Sequence, residues 1–160
     1  MLIVVCLPRQ FKIEHQAEIH GSFDDAKLIL FDIKHWPELM TWKKYNDDFE
    51  LHISSPSNTL GANAFLQSLN TDIEISITRL TDNAIHYSLL VNNEHSMFGV
   101  FSIDKTPHSL QLNHVLKGTI HSTVSGGVTV LFIRSLADNM FRSSVNNLQS
   151  QLKLAQKDLK

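Results

Sequence analysis

Charge is scarce in this chain, and what there is lies scattered. Charged residues make up 19% of the 160 positions, and no Lys/Arg cluster is longer than Lys43-Lys44. With a formal charge of −2, the electrostatics that nucleic-acid binding requires are missing. Cysteine occurs once, at Cys6. That excludes an intrachain disulfide, and the residue reads as a small hydrophobe. Spanning a bilayer takes about 20 consecutive apolar residues, whereas Met1–Leu7 supplies seven before Pro8. Those seven must pair as an edge strand, bury in an oligomer, or continue an anchor lying upstream. GxSxG, HExxH, GxGxxG, Walker and CxxC motifs are all absent. None of the nine histidines repeats at the i, i+4 helical spacing of a zinc site. No metal or cofactor is expected.

What is present is periodicity. Apolar residues make up 42% of the chain, enough for one domain with a core. We divide it into an apolar segment, residues 1–9, and a single domain, residues 10–160. From Gln10 to His20, Phe11, Ile13, His15, Ala17 and Ile19 alternate with Lys12, Glu14, Gln16 and Glu18, the pattern of a half-buried strand. Asp24 or Asp25 is placed to cap a short helix reaching Lys34, and Pro37 to open a second, Pro37–Trp42. Six alternating segments follow, begun by Phe49, Gly61, Ile73, Ile85, Met97 and Leu110. The turns between them fall every ten residues or so, the spacing of an up-and-down antiparallel sheet. Beyond a linker at 122–127, Val128, Leu131, Phe132, Leu136, Met140, Val145, Leu148 and Leu152 mark one long amphipathic helix. The expectation is an α+β fold, with a curved seven-stranded antiparallel sheet wrapped around the C-terminal helix.

That order of elements resembles the START-like, or SRPBCC, superfamily, whose members share the helix-grip fold. The resemblance covers residues 10–155, and locally it is similar to the polyketide cyclase/dehydrase-like group. It is carried by Trp36-Pro37-Glu38-Leu39-Met40-Thr41-Trp42, by Ile85-x-Tyr87, and by Gly99-x-Phe101-x-Ile103 ahead of a Thr-Pro turn. The resemblance implies a cavity between sheet and helix, with Trp36 and Trp42 at one wall of its mouth. It also implies an apolar ligand: a lipid, an isoprenoid or a polyketide-like molecule. Relatives carrying an N-terminal membrane anchor resemble Met1–Pro8 at the anchor's end.

Two histidines stand apart from the other seven. His15 and His114 fall on apolar strand faces and should point inward, whereas His20, His35, His95, His108 and His121 lie near segment ends. In the helix-grip order the first and last strands are neighbours, which would set the two imidazoles on adjacent rows. There they would contact a ligand's carbonyl or hydroxyl, or act as acid and base. Alternatively they are core histidines satisfied by each other, by water or by backbone. No inward acidic or Arg partner is evident beside them. Tyr87, Phe49, Phe101, Met97, Phe132, Leu136 and Met140 are expected to line the same space, with room left by Gly99 and Ala64. Ser135 and Asn139 would supply polar contacts from the helix. Three functions follow: a binder of an apolar small molecule, a cyclase or dehydratase using His15 and His114, or an interaction module without a ligand. The partners to consider besides a small molecule are a second copy, through residues 1–9, and a membrane surface, through Lys43-Lys44-Tyr45. A cytoplasmic location is expected, or a membrane-associated one if an anchor precedes Met1.

Overall fold

The computed structural model describes residues 10–42, 48–69, 71–120 and 126–157. The apolar segment 1–9 with Cys6, the Lys43–Tyr45 stretch, His121 and the side chain of Phe132 lie outside the described residues. Strand β1 (Gln10–Ile19) leads to helix α1 (Phe23–Leu30), a turn of 3₁₀ helix (Ile33–His35) and helix α2 (Trp36–Leu39). Six strands follow: β2 (Glu50–Ile53), β3 (Asn63–Gln67), β4 (Asp72–Leu80), β5 (Ala84–Val91), β6 (His95–Lys105) and β7 (Leu110–Thr119). Helix α3 (Gly126–Lys157) closes the chain. The sheet order is β1-β7-β6-β5-β4-β3-β2, antiparallel throughout. This is the expected α+β helix-grip architecture. Among the described residues no helix is long and apolar enough to cross a membrane.

The helices between β1 and β2 differ in detail from the sequence expectation, and local hydrogen bonds explain why. Ser22, not an aspartate, caps α1 by accepting from the Asp25 N–H at 3.4 Å. Asp24 and Asp25 then occupy the first turn, where negative charge suits the helix dipole. The helix stops at Leu30 because Asp32 starts a new turn: its carboxylate accepts from the Lys34 N–H at 3.2 Å and from Ser57 Oγ at 2.6 Å. Trp36 begins α2 and Pro37 occupies its first turn, which needs no N–H there.

One inward layer of this assembly is tightly filled. Trp36, Leu39, Leu30, Ile33, Ile85, Ile103 and Leu112 are fully buried under α1, α2 and the C-terminal half of α3. Trp36 meets Tyr87 and Phe101 edge-on, with ring centroids 5.0 and 5.8 Å away. Its indole N–H donates to the Leu30 carbonyl at 2.8 Å, so its single polar atom is satisfied.

Side-chain tethers fix α3 over this layer. Gln149 accepts from the His20 N–H and donates to the His20 carbonyl, both at 2.8 Å. On the opposite flank, Asn147 donates to the carbonyls of Glu38 and Leu39, both at 3.0 Å, which satisfies groups at the end of α2. Trp36→Ala should therefore cost about 3–5 kcal/mol of stability in urea denaturation. Leu28→Ala, at a residue 70% exposed, should change it by less than about 0.5 kcal/mol. A Trp36→Ala loss below about 1 kcal/mol would contradict the packing described here.

Candidate functional site

Strand β1 pairs with β7 so that His15 stands directly opposite His114, and Phe101 on β6 stands opposite His114 in turn. Three rings thus share one row across three neighbouring strands. They lie nearly parallel: Phe101 to His114 is 4.2 Å between centroids at 18°, and His114 to His15 is 5.7 Å at 4°. Phe141 from α3 packs against both histidines, with centroids 4.8 Å from His15 at 13° and 6.0 Å from His114 at 9°.

Each imidazole has one fixed partner. His114 Nε2 lies 2.8 Å from the Tyr87 hydroxyl, and His15 Nε2 lies 2.5 Å from a carboxylate oxygen of Asp138. Tyr87 is on β5, two strands from His114, and reaches it by crossing Gly99 on β6. A methyl group on Gly99 would sit 2.0 Å from Tyr87 Cζ, so bare backbone is required there. The space that Gly99 was expected to leave for a ligand is taken by the tyrosine ring. Nδ1 of each histidine is buried and has no hydrogen-bond partner among the described residues.

This row divides the inward face. On one side lies the filled layer that contains Trp36. On the other, Phe11, Ile13, Met97, Leu116, Ile120, Val130 and Ala137 form a separate cluster beneath the first turns of α3. Both strands change cluster at their histidine: Ile13 and Leu116 belong to the second cluster, Ile19 and Leu112 to the first.

Farther across the sheet, on β4 and β5, the face is incompletely covered. Ile73, Leu89 and Val91 continue the inward alternation of Ile75 and Tyr87, yet they are only half-buried, as is Phe49. Leu136 and Met140, one turn apart on the flank of α3 that carries Asn147, are likewise half-buried. Two open depressions lie elsewhere, one lined by Phe11, Phe98 and Lys117, the other by Leu28, Phe31 and Leu80.

Of the candidate residues, Trp36, Trp42, Tyr87, Met97, Phe101 and His114 are buried, and His15, Phe49, Leu136 and Met140 are intermediate. Asn139 and Ser135, expected on or beside the buried stripe of the helix, are exposed. Asn139 stands nine residues from the fully buried Leu148, about two and a half turns, and so on the opposite side of α3. The buried stripe is Val130, Ala137, Phe141, Ser144, Leu148 and Leu152, and Leu131 is 60% exposed. Asp138 is the residue that sequence reasoning missed, and it overturns the expectation of no acidic partner. Its signal was spacing, since it adjoins Ala137 on the stripe drawn correctly.

Burial, joined by repulsion from His15, pushes the His114 pKa down from 6.5 to about 3. Burial also raises the Tyr87 pKa well above the ordinary phenol value. Both groups are therefore neutral near pH 7. Because the folded-state pKa of His114 lies below its unfolded value, the unfolded chain takes up the proton first as pH falls. Stability is full above about 6.5 and is lost toward about 3, by up to about 1.4 kcal/mol per pH unit. Between pH 7 and pH 5 the native chain should lose about 2 kcal/mol more than His114→Phe in urea denaturation. Equal acid slopes in the two proteins would contradict this.

No family model and no curated sequence matches the chain. Solved structures do. A START superfamily protein from Mycobacterium smegmatis is 14% identical, with a TM-score of 0.57 over 90% of this chain and 98% of its own. The major latex-like protein 151 of Panax ginseng is 11% identical, with a TM-score of 0.62 over 90% and 98%. Truncated norcoclaurine synthase from Thalictrum flavum is 12% identical, with a TM-score of 0.58 over 82% and 91%. At such identities the likeness is one of fold: the chain has the helix-grip fold that it shares with these structures.

Proposed function

We propose that this chain binds an apolar small molecule, of lipid, isoprenoid or polyketide-like character, on the inward face between the sheet and α3. The observation that carries the reading is the unfinished burial farther across the sheet from the histidine row. Phe49, Ile73, Leu89 and Val91 on the sheet side and Leu136 and Met140 on α3 are apolar and inward of their elements' outer faces, yet half-exposed. Apolar side chains left partly exposed together, rather than scattered singly over the outside, are the usual mark of a binding site.

Binding there would remove apolar area from water at about 25 cal/mol per Å². The filled layer under α1 and α2 would serve as the rigid wall, and the half-covered flank of α3 as the side of entry. The fold shared with a START superfamily protein and a major latex-like protein is consistent with this use. So is the small share of charge in the chain.

Titration with the fluorescent hydrocarbon diphenylhexatriene checks the reading. The native chain should bind it with a saturable signal. Leu89→Lys and Met140→Lys should each weaken binding at least tenfold, because each buries a charge against the probe. Leu28→Lys, at the exposed face of α1, should leave it unchanged. Binding that is indifferent to all three substitutions would place the probe elsewhere and remove the proposal.

A further inference from the structure

We propose that the His15–His114 pair is a recognition site for a hydroxyl group, so that the preferred ligand is an apolar alcohol or phenol. This rests on the reading just given of where an apolar molecule binds, and names the polar end of that molecule.

The argument starts from donors and acceptors. A carboxylate oxygen only accepts, so in the contact with Asp138 the proton lies on His15 Nε2. The remaining nitrogen of the His15 ring, Nδ1, is buried. At His114 the partner is the Tyr87 hydroxyl, which has no other hydrogen-bond partner among the described residues. A buried phenol donates more readily than it accepts, so the Tyr87 proton points at His114 Nε2 and the His114 proton sits on Nδ1. The Nδ1 of His114 is thus a donor, and neither ring's Nδ1 has a partner among the described residues.

Buried polar atoms are nearly always paired, and an unpaired one is costly. His114 is 95% buried, sealed by Phe101 on one ring face and by His15 on the other. The row lies at the junction of the two apolar clusters, and Leu89 packs against both. In this proposal the polar end of a ligand lying along the half-buried residues meets these two nitrogens. A hydroxyl both donates and accepts, so it can answer either nitrogen. A carbonyl can answer only the donor, and a hydrocarbon neither. A carboxylate would bring a second negative charge to the row beside Asp138 and would lose its hydration, so an acid should be disfavoured.

Asp138, Tyr87 and Gly99 act as positioning residues in this scheme. The first two hold Nε2 of each ring, and Gly99 lets the tyrosine reach across its strand.

The test compares a hydroxyl probe with its methyl isostere, 1-naphthol with 1-methylnaphthalene, in the native protein and in His114→Phe. Replacing the imidazole should weaken 1-naphthol at least tenfold and leave 1-methylnaphthalene within about threefold. A change of equal size for both probes overturns the hydroxyl site while leaving apolar binding intact. Failure of both probes to bind the native chain removes the underlying reading, and this one with it. A second measurement needs no variant: ¹⁵N spectra of the histidine rings. Addition of 1-naphthol should move the Nδ1 resonances of His15 and His114, and 1-methylnaphthalene should not. Unmoved Nδ1 resonances in the presence of bound 1-naphthol overturn the proposal.

Discussion

The antiparallel pairing of β1 with β7 sets His15 opposite His114, and the rest of the inward face is organised around that register. Because side chains alternate along a strand, a one-residue slip of β1 would turn His15 outward, away from His114, and carry Ile13 and Ile19 with it. The same pairing makes β1 the edge on which α3 rests. Asp138 meets His15 near the middle of β1, and Gln149 grips the backbone of His20 just past its end. Asn147 braces the other flank of the helix against α2. The helix is held by these tethers together with its buried stripe from Val130 to Leu152, while its Leu136 and Met140 flank stays half-buried.

That arrangement separates two tasks. Stability is concentrated under α1 and α2, where Trp36, Leu30, Ile33 and Leu39 have no exposed surface. The neighbouring half-exposed residues add less to the core and are free to meet another molecule. Between the two lies a polar row whose rings are stacked but whose Nδ1 atoms are unpaired. A core designed only for stability would replace these histidines with hydrocarbon, since an unpartnered buried polar atom is costly.

Most of the fold was legible because strand alternation and turn spacing are direct consequences of backbone geometry. The inward placement of His15 and His114, and the adjacency of their strands, followed from period two and from the order of elements. The face of α3 was harder to read. Leu131, Leu136 and Met140 drew the stripe toward themselves, because hydropathy favours large residues. The true stripe runs through Ala137 and Ser144, whose small size suits a close approach and gives no hydropathy signal. That error put Asn139 inward and hid Asp138. The role of Gly99 was equally illegible, since which side chain fills the space above a glycine depends on a partner strand. The ends of α1 and α2 depended on Ser57, a contact 25 residues away that no local pattern shows.

The central claim is that the inward face of the sheet, and not the outer surface, receives an apolar molecule. Methyl-labelled protein titrated with 1-naphthol and followed by ¹H–¹³C correlation spectra tests this most directly. The account predicts saturable shifts at Ile73, Leu89, Val91, Leu136 and Met140, with the Leu28, Leu60 and Leu131 methyls unmoved. Shifts confined to the exposed leucines, or no saturable shift at any methyl, would contradict it.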